Sequence, residues 1–136
     1  MHLRLIKNPD DSKKLMYQIA RVVYAETSAS SLPAVEAMVS MIYNASIATG
    51  KDIAQIISDT DMFECLNKES SRHDMMSDAP TTRAFQMCLR VVSRMLHGML
   101  PDMCRGATCF HHVNAFPQWA NARGYILEID DLLFYL

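Results

Sequence analysis

No apolar run in this chain of 136 residues approaches the roughly 20 residues that a membrane-spanning helix requires, so no membrane insertion is expected. Nor is there an excess of basic charge. Thirteen Lys and Arg against fifteen Asp and Glu leave a net charge of −2, which provides no footprint for nucleic acid or an anionic membrane. The stretch Met1 to Asp11 carries basic side chains but lacks the apolar core of a secretory signal, so export by the general pathway is not expected. The four cysteines, Cys65, Cys88, Cys104 and Cys109, form no CxxC pair, and without export reduced thiols are expected. Cys104 and Cys109, followed by His111 and His112, are the nearest approach to zinc ligands, but the familiar spacings are missing. No metal or cofactor is therefore expected. There is no internal repeat and no sign of a second domain.

What is present is enough apolar sequence, 50%, for one globular core. The eleven methionines suit irregular gaps in that core. Ser12 can cap a first helix that runs to about Glu26, followed by a polar connection, Thr27 to Ser31. Pro33 suits the first turn of a second helix ending at Gly50, apolar around most of its circumference and so buried. Asn44 on that helix then needs polar partners, expected from the backbone of a neighbouring loop. A short helix is predicted over 53–58, an exposed loop over 67–74, and a further helix from Pro80 to Gly98 with Phe85, Cys88, Leu89, Val92 and Leu96 inward. Beyond it, 107–113 reads as a strand, 117–122 as a helical turn, and 125–129 with 132–136 as a hairpin. The expected fold is α+β and mainly helical: a single domain over 1–136 with a small β element near its C-terminal end, residues 1–11 being an extension.

One carboxylate stands out. Leu15, Ile19, Val22 and Glu26 fall at steps of four, three and four, on a helical face that is otherwise apolar. Burial and the negative end of the helix both favour the neutral form of Glu26, and a carboxylic acid still protonated near neutral pH can act as a general acid. The alternative is that Glu26 points into water as the helix ends.

These pieces, in this order, resemble the SleB-type cell-wall hydrolase family, named for spore-cortex-lytic enzymes. The resemblance is carried by Ala20 to Glu26, by Ala34 to Asn44, by Met62-Phe63-Glu64-Cys65-Leu66-Asn67, by Gly106 to Phe110, by Pro117 to Ala120 and by Phe134-Tyr135. It implies a lysozyme-like domain that cleaves peptidoglycan glycan strands, with Glu26 as the catalytic glutamate. Tyr24, Phe63, Thr108, Phe110, His111 and Trp119 are the candidates for contacting the glycan. Thr108 serves equally to pair strands, and Trp119 to anchor the core. Adjacent His111 and His112 would point to opposite strand faces, leaving one of them simply exposed.

A two-carboxylate glycosidase needs a second acid within about 5–10 Å, and Glu36, Asp59, Asp61, Glu64 and Asp102 are the candidates. Lytic transglycosylation needs only Glu26, first as acid and then as base. The chain departs from the family where alanine follows Asn44, where Met62 and Leu66 replace glutamine and tryptophan, and at Ile129 to Leu133, where the family has glycine and histidine. The leading expectation is a peptidoglycan-cleaving enzyme, either a phage-type endolysin, cytoplasmic until released through a holin, or a cell-wall remodelling enzyme. The rival is an inactive peptidoglycan-binding or virion-structural module that keeps the fold.

Overall fold

Ser31 and Gly50 bracket the helix around which the rest of the chain is packed. In the computed structural model, which describes residues 9–136 and side chains from residue 14, this helix is α2 (Leu32–Thr49). Ser31 Oγ accepts from the Ala34 N–H at 3.2 Å, and Gly50, at a φ of 72°, closes the last turn by donating to Ser46 O. Val35, Met38, Val39 and Ile42 on one side, and Ala37, Met41 and Ala45 on another, are buried. The all-round apolar character therefore marks the central helix.

Helices α1 (Pro9–Thr27) and α5 (Arg83–Leu96) pack on α2 and on each other. Thr82 Oγ1 caps α5 by accepting from the Phe85 N–H. The short helices α3 (Ile53–Ile56) and α4 (Ser71–Met75) flank a 3-10 turn at Glu64–Leu66. Strands β1 (Cys109–His112), β2 (Leu127–Ile129) and β3 (Leu132–Tyr135) form an antiparallel sheet in the order β1-β3-β2. Phe110 pairs in register with Phe134, and Phe63 packs against Phe110 with ring centroids 5.8 Å apart. This aromatic seam joins sheet to helices. Among the described residues no helix is long and apolar enough to cross a membrane.

The structure departs from the sequence expectations at several helix ends, α5 for one starting at Arg83 behind its Thr82 cap instead of at Pro80. Helix α1 already includes Pro9, a residue type tolerated in a first helical turn, instead of starting after Ser12. Of the extension expected over 1–11, residues 9–11 are thus helical and the remainder lies outside the described residues. The polar stretch 67–74, expected as loop, folds at its end into α4, because Ser70 Oγ accepts from the Arg72 N–H and starts a turn.

Two polar clamps hold the sheet to the helices. At the β2–β3 tip Asp130 takes a φ of 53°, and its carboxylate accepts from Ser30 Oγ at 2.6 Å and Ser31 Oγ at 2.8 Å. Those two hydroxyls hold its carboxyl below the usual range. On the other side, the half-buried Asn44 donates to Ala107 O at 3.1 Å and to Asp102 Oδ1 at 3.3 Å, so it finds its partners in a neighbouring loop. Burial alone would raise the Asp102 carboxyl, but the Cys104 and Gly106 N–H groups, the Asn44 amide and the Cys104 thiol outweigh it and hold it below the usual value. Asp102 is exposed and its charge screened by solvent, so Asp102→Asn is expected to cost no more than about 1 kcal/mol at neutral pH. A depressed folded pKa gives stability that is complete above the unfolded value of about 3.9 and lost as the pH falls through the folded one. Urea midpoints of the two proteins should therefore differ at pH 7 and converge in acid.

Candidate active site

Glu26 lies in the last turn of α1 and is 1% exposed. The helix end that should repel its charge is offset by Arg72, whose guanidinium donates at 3.0 Å to both the Ala25 and the Glu26 carbonyl oxygens. Both carboxyl oxygens have partners. Oε2 accepts from the Cys65 N–H at 2.8 Å, and Oε1 lies 2.6 Å from His112 Nε2. The side chain does not point into water; it joins α1 to the 3-10 turn and to β1. His73 Nδ1, 2.9 Å from Cys65 O, fixes that turn from α4. Burial pushes the Cys65 thiol up, and the neighbouring Glu26 adds to this, so the sulfur stays protonated.

The two adjacent histidines are both buried, each 6% exposed, against the expectation that one would face solvent. The alternation itself holds. Phe110 and His112 share the face toward the helices, with ring centroids 5.6 Å apart at a steep angle. His111 takes the other face, which the connection after β1 covers with Phe116 and Trp119. There His111 Nδ1 donates to His112 O at 2.8 Å, and its Nε2 lies 2.8 Å from the Tyr135 hydroxyl.

A cleft of about 380 Å³ opens beside this arrangement. Its floor is β1, with Phe110, His111 and His112; one wall is Thr60 to Met62 with Glu64 and Asn67, and the other is Ala115 to Pro117 with Trp119. Of the residues expected to contact a glycan, Phe110, His111 and Trp119 line it, with Trp119 38% exposed. Tyr24, Phe63 and Thr108 do not. Tyr24 donates to Asp78 at 2.7 Å, which raises the phenol pKa, and packs on Phe85. Phe63 is wholly buried, and the Thr108 N–H extends the ladder to Tyr135 O.

The candidates for a second acid also separate. Asp61 and Glu64 stand on the cleft wall, whereas Glu36 pairs with Arg94 across the α2–α5 contact and Asp102 belongs to the Asn44 clamp. Glu64 accepts from Ser70 Oγ at 2.7 Å and lies 3.4 Å from Arg72 Nε. The sequence reading missed His112, Asn67 and the 79% exposed Phe116. His112 was detectable, since it shares a strand face with Phe110; for Phe116 nothing in the sequence gives a signal. Among the described residues no three His, Cys, Asp or Glu side chains gather as metal ligands would.

Comparison with known proteins bears on the family and the fold. The family model described as Cell Wall Hydrolase matches residues 34–135, starting in α2 and so after Glu26. Among solved structures, the catalytic domain of the Bacillus cereus SleB protein matches with a TM-score of 0.66 at 16% identity, over 91% of each chain. At that identity the likeness is one of fold: mainly helical, with a small sheet near the C-terminal end. No curated protein matches. The family match extends over more than half of the chain and establishes that it belongs to the cell wall hydrolase family, enzymes that act on peptidoglycan, here with the fold of the SleB catalytic domain.

Proposed function

We propose that the chain cleaves peptidoglycan glycan strands between N-acetylmuramic acid and N-acetylglucosamine as a lytic transglycosylase, with Glu26 supplying and then recovering the proton. The observation that carries this reading is a buried carboxyl tied directly to a cleft-lining histidine. Glu26 protonates the glycosidic oxygen as the bond to C1 breaks, and the carboxylate takes a proton from the muramic C6 hydroxyl as it closes onto C1. The product carries a 1,6-anhydro ring and no water is consumed. Phe110, His111 and Trp119 supply an amphipathic surface suited to a pyranose face and its hydroxyls.

A second reading is favoured by one observation, the carboxylates Asp61 and Glu64 on the cleft wall. Either of them, acting on water or as a nucleophile, would turn the reaction into hydrolysis. Mass spectrometry of purified peptidoglycan after digestion separates the two. Anhydromuropeptides are expected; reducing-end muropeptides would assign hydrolysis instead. No soluble product from correctly folded protein would point to an inactive binding module.

A further inference from the structure

The wall that follows β1 carries two aromatic side chains, and they are held very differently. Phe116 is largely exposed, and among the described residues its ring neighbour is His111, with centroids 6.0 Å apart. Trp119 is packed at steep angles against two rings, His111 at 5.8 Å and Tyr135 at 5.1 Å. It also carries a cation. The Arg123 guanidinium lies over the Trp119 ring, 5.5 Å from its centroid, and over Tyr135 at 5.9 Å, and it donates to the Leu136 carbonyl oxygen.

The backbone is strained where it brings that cation back. Trp119 sits in a short 3-10 turn, Gln118–Ala120, after which Ala122 takes a φ of 64°, a left-handed conformation disfavoured for a residue with a Cβ. The reversal lets the Arg123 N–H donate to Ala120 O at 3.2 Å and returns the side chain over the preceding indole. Two hollows meet at that indole. Beside the cleft of about 380 Å³ lies a smaller one of about 150 Å³, reaching Asp59 and Cys109, and both are lined by Asp61, Met62, Phe110 and Trp119.

We propose that Arg123 is a positioning residue for the glycan: lying over Trp119, it holds the indole as a fixed platform between the two hollows, so that consecutive sugars of one strand cross it. As a statement about glycan it rests on the function proposed above. The physical argument is preorganisation. A pyranose gains apolar contact from an aromatic surface, and the gain shrinks when binding must also order the ring. A planar guanidinium suits this task better than an ammonium, because it stacks on a ring while its N–H fork bonds a carbonyl, here that of Leu136. Arg123 thus acts through Trp119, on binding and not on the proton transfer at Glu26.

Arg123→Leu keeps apolar bulk and removes the cation. On soluble glycan strands stripped of peptide, its KM is expected to rise about two- to fivefold, the range of an exposed cation–π pair. Its kcat should stay within about twofold of wild type, as for a group that contributes to binding alone. Arg123→Lys, still a cation, should recover part of the loss. A KM unchanged in folded Arg123→Leu, or raised equally by both substitutions, would overturn the proposal. A second measurement needs no turnover, because Trp119 is the only tryptophan of the chain. In Glu26→Gln the same strands should shift the Trp119 emission. Adding Arg123→Leu should weaken their binding by the same factor and speed the fast anisotropy decay of the indole. An emission unmoved by the strands, or an affinity and decay indifferent to Arg123, would overturn it. If the wild type released no muropeptides, glycan cleavage would fall, and the emission titration would still decide whether Arg123 sets the affinity for glycan.

Discussion

Glu26→Gln should abolish glycan cleavage while leaving the protein folded. Glutamine is nearly isosteric with glutamate: its carbonyl oxygen can still accept from the Cys65 N–H, and its amide can donate to His112 Nε2 once the ring carries its hydrogen on Nδ1. Both bonds that tie α1 to the 3-10 turn and to β1 thus have replacements. The proton does not. Loss of a positioned general acid lowers rates by about 100- to 10,000-fold, and muropeptide release at matched protein concentration is the measurement. A thermal midpoint close to wild type must accompany it, so that lost activity is not lost structure. Full lytic activity in this variant would show that Glu26 is not the acid.

Phe134→Ala should give the largest loss of stability. The Phe134 ring is 0% exposed on the central strand, 6.1 Å from Phe110, which in turn contacts Phe63 and His112. Truncating a wholly buried phenylalanine removes its transfer energy and leaves a cavity, at about 3–5 kcal/mol. Against a total of about 5–15 kcal/mol for a domain, this is a large fraction. The urea midpoint should drop markedly with an unchanged slope. Because Phe110 backs His112, activity should fail at lower denaturant than in wild type. An unmoved midpoint would mean that the seam between sheet and helices holds without this ring.

Much of this architecture was legible in the sequence, for identifiable reasons. Helix α2 was bounded by Pro33 and Gly50, each of which acts through local backbone chemistry, and its missing polar face announced its burial. Asn44 needed a partner on an apolar helix and found the Ala107 carbonyl. Glu26 was conspicuous because its face carried only apolar residues, and burial there follows from the periodicity. The burial of His111 was not legible. Strand alternation assumes one solvated face, whereas the connection after β1 folds back over that face and buries His111. Tyr24 and Phe63 flank key positions in sequence, yet side chains next to a site residue on a helix or a turn leave in other directions, here toward Phe85 and Phe110. Long-range closure decides such residues, and no local pattern encodes it.

The cleft also divides by the kind of structure that builds it. Its floor is hydrogen-bonded strand, while both walls come from connections, one between α3 and α4 and one between β1 and β2. Connections tolerate insertion and exchange far better than paired strands do. Selection on such a molecule can therefore rewrite its wall-type preference piecemeal, by trading Phe116, Trp119, Asp61 or Glu64, without touching the inherited chemistry beneath. The same partition suits the bench: libraries confined to the two walls would explore new glycan modifications on an unchanged catalytic chassis.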